Sequence, residues 1–199
     1  MRRLLISIII IFLTYSSTNA ITYNSDPKIF ITELVGDALK ILSDKDLSKE
    51  DKIIAVRKIA IENVDINALG MYTIGDIRKT LSPELLVKYN NLFKEYFLKS
   101  LTSRLIDYSN NEFEVLEADK KNAKYTIVKS KILKTSEQPD VRIDWRVYTK
   151  DPLKPLIRDL IVEGLSLART QKEEFISILS SNDNSIEILF SKLEEFISK

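Results

Sequence analysis

The 199-residue chain contains neither cysteine nor histidine, and these two absences exclude several kinds of site. Without cysteine the chain has no disulfide and no thiol nucleophile, and without histidine it has no imidazole base. The usual zinc sites, which are built on cysteine and histidine, are excluded as well. Any chemistry would have to rest on aspartate, glutamate, lysine, serine or tyrosine side chains.

Glycine is scarce, and neither sign of charge dominates. Four glycines leave little room for a P-loop, a G-x-S-x-G elbow or a dinucleotide-binding fingerprint, and none of these motifs is present. The 30 basic and 29 acidic residues give a net charge of +1, so the chain lacks the basic field of a nucleic-acid-binding protein. We therefore expect no metal site and no nucleic-acid partner.

Residues 1–20 have the pattern of a targeting segment. Two arginines open it, an apolar run over residues 4–13 is too short to span a bilayer comfortably, and small or polar residues lead to Ala20. This pattern predicts a signal peptide that is cleaved after Ala20, with an uncleaved N-terminal anchor as the alternative. The remaining residues 21–199 have the length of a single exported domain.

Residues 26–108 are predicted to be helical. The clearest of four helices begins at a Ser-Pro pair, which is typical of a helix N terminus, near residue 83. Its apolar face includes Tyr89, Phe93 and Phe97 at helical spacing. An aromatic stripe of this kind is usually core, and in a ligand-carrying domain it can also form a cavity wall.

Residues 112–168 change to the two-residue period of β-strands. The apolar residues of the best-defined strand alternate with polar ones, which predicts an antiparallel sheet with one buried face. The apolar members of this strand are Val141, Ile143, Trp145 and Val147. A last short strand or extended piece, "LSLA", is predicted next, followed by two further helices within residues 170–198. Helices followed by strands indicate an α+β fold, with one antiparallel sheet of about four strands covered on one face by helices.

The stretch "DLIVEGLS" places two acidic residues in an apolar strand. Asp159 and Glu163 are four residues apart and would share a face of a regular strand. A glycosidase-like pair of carboxylates is one reading, but no other feature supports it. We favour a structural role for Glu163, either in an ion pair, for which Arg158 and Arg169 are nearby candidates, or in a hydrogen bond to a turn amide. Gly164 predicts a bulge or a sharp bend.

Several segments together resemble the MlaC family, the periplasmic phospholipid-binding components of the bacterial Mla lipid-transport system. These segments are "NVDINALGMYTIG", "LSPELLVKYNNLFKEYFLKSLTSRL", "VRIDWRVYTK", "IRDLIVEGLSLARTQKEEFISIL" and "SIEILFSKLEEF". The most specific part is D-(V/L)-x-x-E-G-(V/L)-S, which is found here at Asp159, Leu160, Glu163, Gly164, Leu165 and Ser166. The chain departs from the family at "PLKPLIR", where an aromatic residue is usual.

The resemblance implies a fold and a function. The sheet would be strongly curved and, together with the helices, would enclose an elongated apolar cavity for phospholipid acyl chains. The protein would be neither an enzyme nor a cofactor carrier. It would carry glycerophospholipid between an outer-membrane lipoprotein–porin complex and an inner-membrane MCE-protein–ABC-transporter complex, which helps to maintain outer-membrane asymmetry. We expect it to act as a monomer.

Two groups of residues follow as candidates. The predicted cavity residues are Tyr89, Phe93, Phe97, Val141, Ile143, Trp145, Val147, Leu160 and Val162. The predicted structural motif comprises Asp159, Glu163, Gly164 and Ser166. Periodicity shows which residues share a face, and it leaves open which face meets lipid. An exported interaction module with a solid core is the alternative function, followed by an enzyme that uses Asp159 and Glu163.

Overall fold

The computed structural model describes residues 23–105, 112–133 and 139–199. The predicted signal peptide, residues 1–20, lies outside these ranges. The elements are α1 (Pro27–Ser43), α2 (Lys49–Asn63), α3 (Ile66–Thr73), a 3-10 helix (Gly75–Lys79), α4 (Pro83–Leu105), β1 (Phe113–Lys120), β2 (Tyr125–Ile132), β3 (Val141–Tyr148), β4 (Leu156–Val162), β5 (Leu165–Ser166), α5 (Leu167–Ser180) and α6 (Ile186–Ser198).

Side-chain caps determine where the first three helices begin. The Asp26 carboxylate accepts the backbone N–H groups of Lys28 and Ile29, and a proline follows it at the first helical position. Ser48 caps α2 and Asp65 caps α3 in the same way, each through one backbone N–H three residues later. These caps satisfy backbone donors that a helix N terminus otherwise leaves without a partner.

The five strands form one antiparallel sheet in the order β1-β2-β3-β4-β5, and the sheet is not closed into a barrel. Register shifts occur in the β1–β2 and β3–β4 pairings. The predicted α+β class is confirmed. β5, a two-residue strand that pairs back onto β4, lies at the start of "LSLA", the predicted short strand or extended piece. Helix α5 begins at Leu167 rather than near residue 170, because Ser166 accepts the backbone N–H of Arg169.

The buried residues form two separate clusters. The helical cluster belongs mainly to α3, α4, α5 and α6, and its largest side chains include Tyr89, Phe93, Phe175 and Phe190. The sheet cluster joins α1 and α2 to the strands through Phe30, Ile31, Leu34, Val35, Ile59, Val128, Val147 and Ile157. The molecule therefore has two cores rather than one.

The two clusters meet where α2 leads into α3. Val64 packs against both clusters, and it forms a β-bridge with Ile157 of β4. The next residue, Asp65, donates its backbone N–H to the Ile157 carbonyl at 2.9 Å and pairs with Arg158 at 2.7 Å. This junction fixes the helical cluster relative to the sheet. No helix in the described ranges combines the length and the apolar character needed to cross a membrane.

Candidate functional site

A cavity of about 930 Å³ lies between the two clusters. Leu34 and Ile59 of the sheet cluster line it, as do Phe93 and Phe175 of the helical cluster. Its volume is near the upper end of the range of roughly 300–1,000 Å³ seen for small-molecule sites. A space of this size between two packed cores can accommodate a large apolar ligand.

One side of the cavity, the sheet wall, consists of lining residues from α1 (between Leu34 and Leu42), α2 with its C-cap (between Val56 and Val64) and the strands (between Phe113 and Val162). Among these lining residues only Asp159 is polar, and none is exposed. The wall can therefore offer dispersion contacts and exclusion of water to a ligand, with almost no hydrogen bonding.

The other side, the helical wall, consists of lining residues from α3 and α4 (between Leu69 and Leu105) and from α5 and α6 (between Leu167 and Lys199). Its polar members are Thr73, Ser100, Arg104, Thr170, Gln171, Glu174, Lys192, Glu195 and Lys199. Every exposed lining residue belongs to this wall. The cavity therefore meets solvent on the helical side.

Seven of the nine residues predicted for the cavity line it. They are Phe93, Phe97, Val141, Ile143, Trp145, Leu160 and Val162. Trp145 stands opposite Leu160, and Ile143 stands opposite Val162, across the β3–β4 pairing. Their contact with lipid stays a prediction.

Tyr89 and Val147 do not belong to the cavity lining, and their placement there needs correction. Tyr89 is fully buried in the helical cluster, where its hydroxyl shares a hydrogen bond of 2.7 Å with Thr73 Oγ1. Tyr89 lies eight residues before Phe97, about 12 Å along the helix axis, and the lining residues of α4 all lie between Phe93 and Leu105. Val147 shares its strand face with Trp145, but it is fully buried within the sheet cluster.

The polar group of Trp145, its indole N–H, is hydrogen-bonded within the sheet. Its indole Nε1–H donates to Ser130 Oγ at 2.8 Å, and that hydroxyl donates to the Ile143 carbonyl at 2.7 Å. Phe113 packs edge-on against the indole ring, with 6.2 Å between the centroids. With its N–H satisfied inside the sheet, the indole can present apolar surface to the cavity.

On the helical wall a short hydrogen-bond chain joins α4 to α5. The Tyr96 hydroxyl donates to Gln171 Oε1 at 2.7 Å, and Gln171 Nε2 donates to Glu174 Oε2 at 2.9 Å. Burial, assisted by the charge of Glu174, raises the pKa of the Tyr96 phenol above its ordinary value. The phenol therefore remains protonated at neutral pH and acts as a stable donor.

The sequence reasoning missed the polar residues of the helical wall. Lys192, Glu195, Phe196 and Lys199 follow the i, i+3, i+4, i+7 spacing of one helix face, which was the available signal. Arg104 gave no such signal, because its position at the cavity depends on how α4 packs in the folded chain. The α1 and α2 contributions to the sheet wall were missed for the same reason.

Asp159 is a structural carboxylate at the start of α5. It is buried, and it accepts hydrogen bonds from Ser166 Oγ at 2.7 Å and from the backbone N–H of Ala168 at 3.0 Å. The Arg146 guanidinium lies 3.8 Å away. Arg158, a candidate partner of Glu163, instead pairs with Asp65, whereas Arg169 donates its backbone N–H to Ser166.

Glu163 and Gly164 form the two-residue turn between β4 and β5. Both have positive φ, 48° and 84°, as the tight hairpin turns that match strand twist require. The Glu163 carboxylate accepts the backbone N–H of Arg142 and lies 3.4 Å from its guanidinium. Both contacts lower the pKa of Glu163, and the backbone hydrogen bond has the larger effect. Its carboxylate and that of Asp159 have separate partners, so they do not form a joint site.

No cluster of three or more acidic residues suited to a metal ion occurs in the part of the chain that the structure describes. The polar lining residues of the cavity are instead distributed along α3, α4, α5 and α6, apart from Asp159 on β4. The cavity can therefore hold an apolar ligand against the sheet wall and offer hydrogen bonds to polar groups of that ligand at the helical wall.

Comparisons with known proteins agree with this geometry. No curated protein matches the chain in sequence. Its fold is similar to that of a phospholipid-binding protein from Ralstonia solanacearum, solved in complex with a phospholipid at 1.53 Å resolution. That similarity has a TM-score of 0.71 and 19% sequence identity, and it covers 84% of this chain and 94% of the other. The family model of the MlaC protein matches residues 32–195, and the chain therefore belongs to the MlaC family.

Proposed function

We propose that this protein is a carrier that holds the acyl chains of a glycerophospholipid in the cavity between its two clusters. The observation on which the proposal depends is the cavity of about 930 Å³ with one apolar wall. Membership of the MlaC family supports it. The phospholipid described for the similar Ralstonia solanacearum protein supports it as well.

The energetics of lipid in water make a carrier of this kind necessary. Two acyl chains of about sixteen carbons each, at about 0.8 kcal/mol per CH₂, represent roughly 25 kcal/mol of unfavourable exposure to water. The cavity need not exceed this value, because loading and unloading exchange one apolar environment for another. An apolar wall with few hydrogen-bonding groups fits that task.

We further propose the cellular role that is expected for the family. The chain is exported to the periplasm by a cleaved signal peptide, acts as a monomer and is not an enzyme. It exchanges phospholipid with an outer-membrane lipoprotein–porin complex and an inner-membrane MCE-protein–ABC-transporter complex, and so helps to maintain outer-membrane asymmetry. Docking to these complexes is transient, and the surfaces involved are small.

Native mass spectrometry tests the lipid-carrier proposal. Protein expressed in bacteria and purified without detergent should carry about one phospholipid per chain, which organic extraction should then identify. The alternative, an interaction module with a solid core, requires a filled interior, and the cavity argues against it. Folded protein that is free of lipid and takes none up from vesicles would favour that alternative.

A further inference from the structure

Glu174 of α5 is the one acidic residue of the cavity lining that has no basic partner among the described residues. The carboxylates of the other two acidic lining residues, Asp159 and Glu195, each have a basic group within salt-bridge distance, at 3.8 and 2.7 Å. In the described ranges Glu174 accepts one hydrogen bond, at 2.9 Å from the neutral side-chain amide of Gln171, and forms no salt bridge. Its negative charge is therefore available to a ligand.

The Glu174 carboxylate determines the direction of the hydrogen-bond chain that crosses from α5 to α4. An ionised carboxylate can only accept hydrogen bonds, so the Gln171 side chain must turn its NH₂ group towards Glu174. The amide oxygen of Gln171 then faces Tyr96, whose hydroxyl donates to it at 2.7 Å. Glu174 Oε1 and the second N–H of the Gln171 amide take no part in this chain. The chain thus holds one acceptor and one donor in place for a ligand.

Glu174 lies at the boundary between the cavity and solvent. Its side chain is exposed, whereas Gln171 and Tyr96 are half-buried, and all three residues line the cavity. The Tyr96 ring packs against Phe175 of α5 at 5.8 Å and against Phe196 of α6 at 4.8 Å between centroids. The Glu174 charge also acts on the Tyr96 hydroxyl, although burial has the larger effect on the pKa of that phenol. The carboxylate is therefore close to the cavity interior and still reached by water.

The helical wall carries charges of both signs. Its charged lining residues are Arg104, Glu174, Lys192, Glu195 and Lys199, three basic and two acidic side chains that sum to +1. Of the two carboxylates, Glu195 pairs with Lys199, which leaves Glu174 for a positive group of the ligand. The wall therefore suits a headgroup that carries both a negative and a positive charge.

We infer that Glu174 binds the ammonium group of an aminophospholipid, a lipid with an ethanolamine-type headgroup, while the acyl chains lie against the sheet wall. This inference rests on the proposed lipid-carrier function. A primary ammonium has three N–H donors, and a hydrogen bond between two charged groups is stronger than one between neutral groups. Because Glu174 is exposed, the contact contributes modestly, and it acts on the choice of headgroup rather than on retention of the lipid.

A lipid competition experiment tests this assignment. The protein is incubated with vesicles that contain equal amounts of phosphatidylethanolamine and phosphatidylglycerol with identical acyl chains, and native mass spectrometry measures the ratio of the two bound lipids. Both lipids carry a phosphate diester, so the ratio reports the group beyond it, which is an ammonium in one lipid and a pair of hydroxyls in the other. Glu174→Gln should lower the ratio of phosphatidylethanolamine to phosphatidylglycerol about threefold, as the loss of one exposed ion pair would give.

Glu173→Gln is the matched control. It removes the same charge from the neighbouring position of α5, where the side chain is exposed and does not line the cavity. This control should keep the native ratio. The difference between the two variants should shrink as ionic strength is raised, because salt screens a contact that is open to solvent.

The remaining outcomes separate the headgroup assignment from the carrier function. An unchanged ratio in Glu174→Gln, or an equal fall in Glu173→Gln, would overturn the assignment while the bound lipid still supported the carrier. Glycerophosphoethanolamine, the same headgroup without acyl chains, should displace neither lipid at millimolar concentration. Displacement would show that the site binds a soluble amine, and the assignment to a lipid headgroup would be wrong. Binding of neither lipid to the native protein would instead reject the proposed carrier function.

Discussion

The two walls of the cavity differ in how many polar and how many exposed residues they contain. The sheet wall has Asp159 as its single polar lining residue, whereas the helical wall has nine. No lining residue of the sheet wall is exposed, and several of the helical wall are. The comparison suggests a division of roles, in which the sheet wall shelters acyl chains and the helical wall forms the opening and faces the headgroup.

The exception on the sheet wall strengthens this interpretation. Asp159 lines the cavity, but its carboxylate is directed to Ser166 and to the first turn of α5, so it belongs to the helix start. The indole N–H of Trp145 is likewise satisfied by Ser130. The sheet wall thus keeps its polar groups in internal hydrogen bonds, and only the helical wall offers free ones to a ligand.

The largest expected effect comes from placing a charge on the sheet wall. Val162→Glu should reduce phospholipid occupancy to less than about one-tenth of the native value, because a carboxylate in an apolar cavity is strongly unfavourable. Lipid extraction measures the occupancy and circular dichroism checks the fold. Val87→Glu, at a 60% exposed valine outside the lining, is the matched control. Full occupancy in Val162→Glu would show that acyl chains do not contact this wall.

A pair of valine truncations distinguishes core from cavity wall. Val147→Ala removes fully buried methyl groups from the sheet cluster and should lower the free energy of unfolding by about 2 kcal/mol. Val162→Ala, at the cavity, should cost about half as much, because no tightly packed space is lost there. Urea denaturation measures both. Equal losses would mean that Val162 is core rather than wall.

Tyr89→Phe should affect stability alone, and by a smaller amount. It removes the hydroxyl that bonds to Thr73, which should cost about 1 kcal/mol of unfolding free energy. Lipid occupancy should stay at the native level, since Tyr89 lies behind the cavity lining. A clear fall in occupancy would restore the original prediction that Tyr89 contacts lipid.

The smallest effect is expected from Glu163→Gln at the hairpin. The folded-state pKa of Glu163 is lowered, so its charge stabilises the fold above the unfolded-state value of about 4.5. This stabilisation is lost as the pH falls through the lowered folded-state pKa. The variant should therefore melt slightly below the native protein at pH 7, with a difference that shrinks below about pH 4.5. A difference that is independent of pH would exclude this role for the carboxylate.

The fold was predictable because local signals agreed with it. Strand alternation at Val141, Ile143 and Trp145 predicted a sheet with one buried face, and the Ser-Pro pair predicted the start of α4 at Pro83. The short strand β5 lies where a short strand or extended piece was predicted, but its pairing onto β4 was not predicted, because two residues are too few to show a period.

The cavity was less predictable than the fold for a physical reason. Trp145 and Val147 are two residues apart on one face of β3, yet the first lines the cavity and the second is solid core. Periodicity defines the face, whereas the packing of α1 and α2 over that face decides where it remains open. The position of Arg104 at the cavity likewise depends on tertiary packing.

The most direct test of the lipid-carrier account uses fluorescence, because Trp145 is the single tryptophan of the chain and lines the cavity. Protein loaded with phospholipid that has brominated acyl chains should lose most of its tryptophan emission relative to protein loaded with the unbrominated lipid. The loss should saturate at about one lipid per chain. Brominated lipid that binds at this ratio and leaves the emission unchanged would place the acyl chains elsewhere and contradict the account.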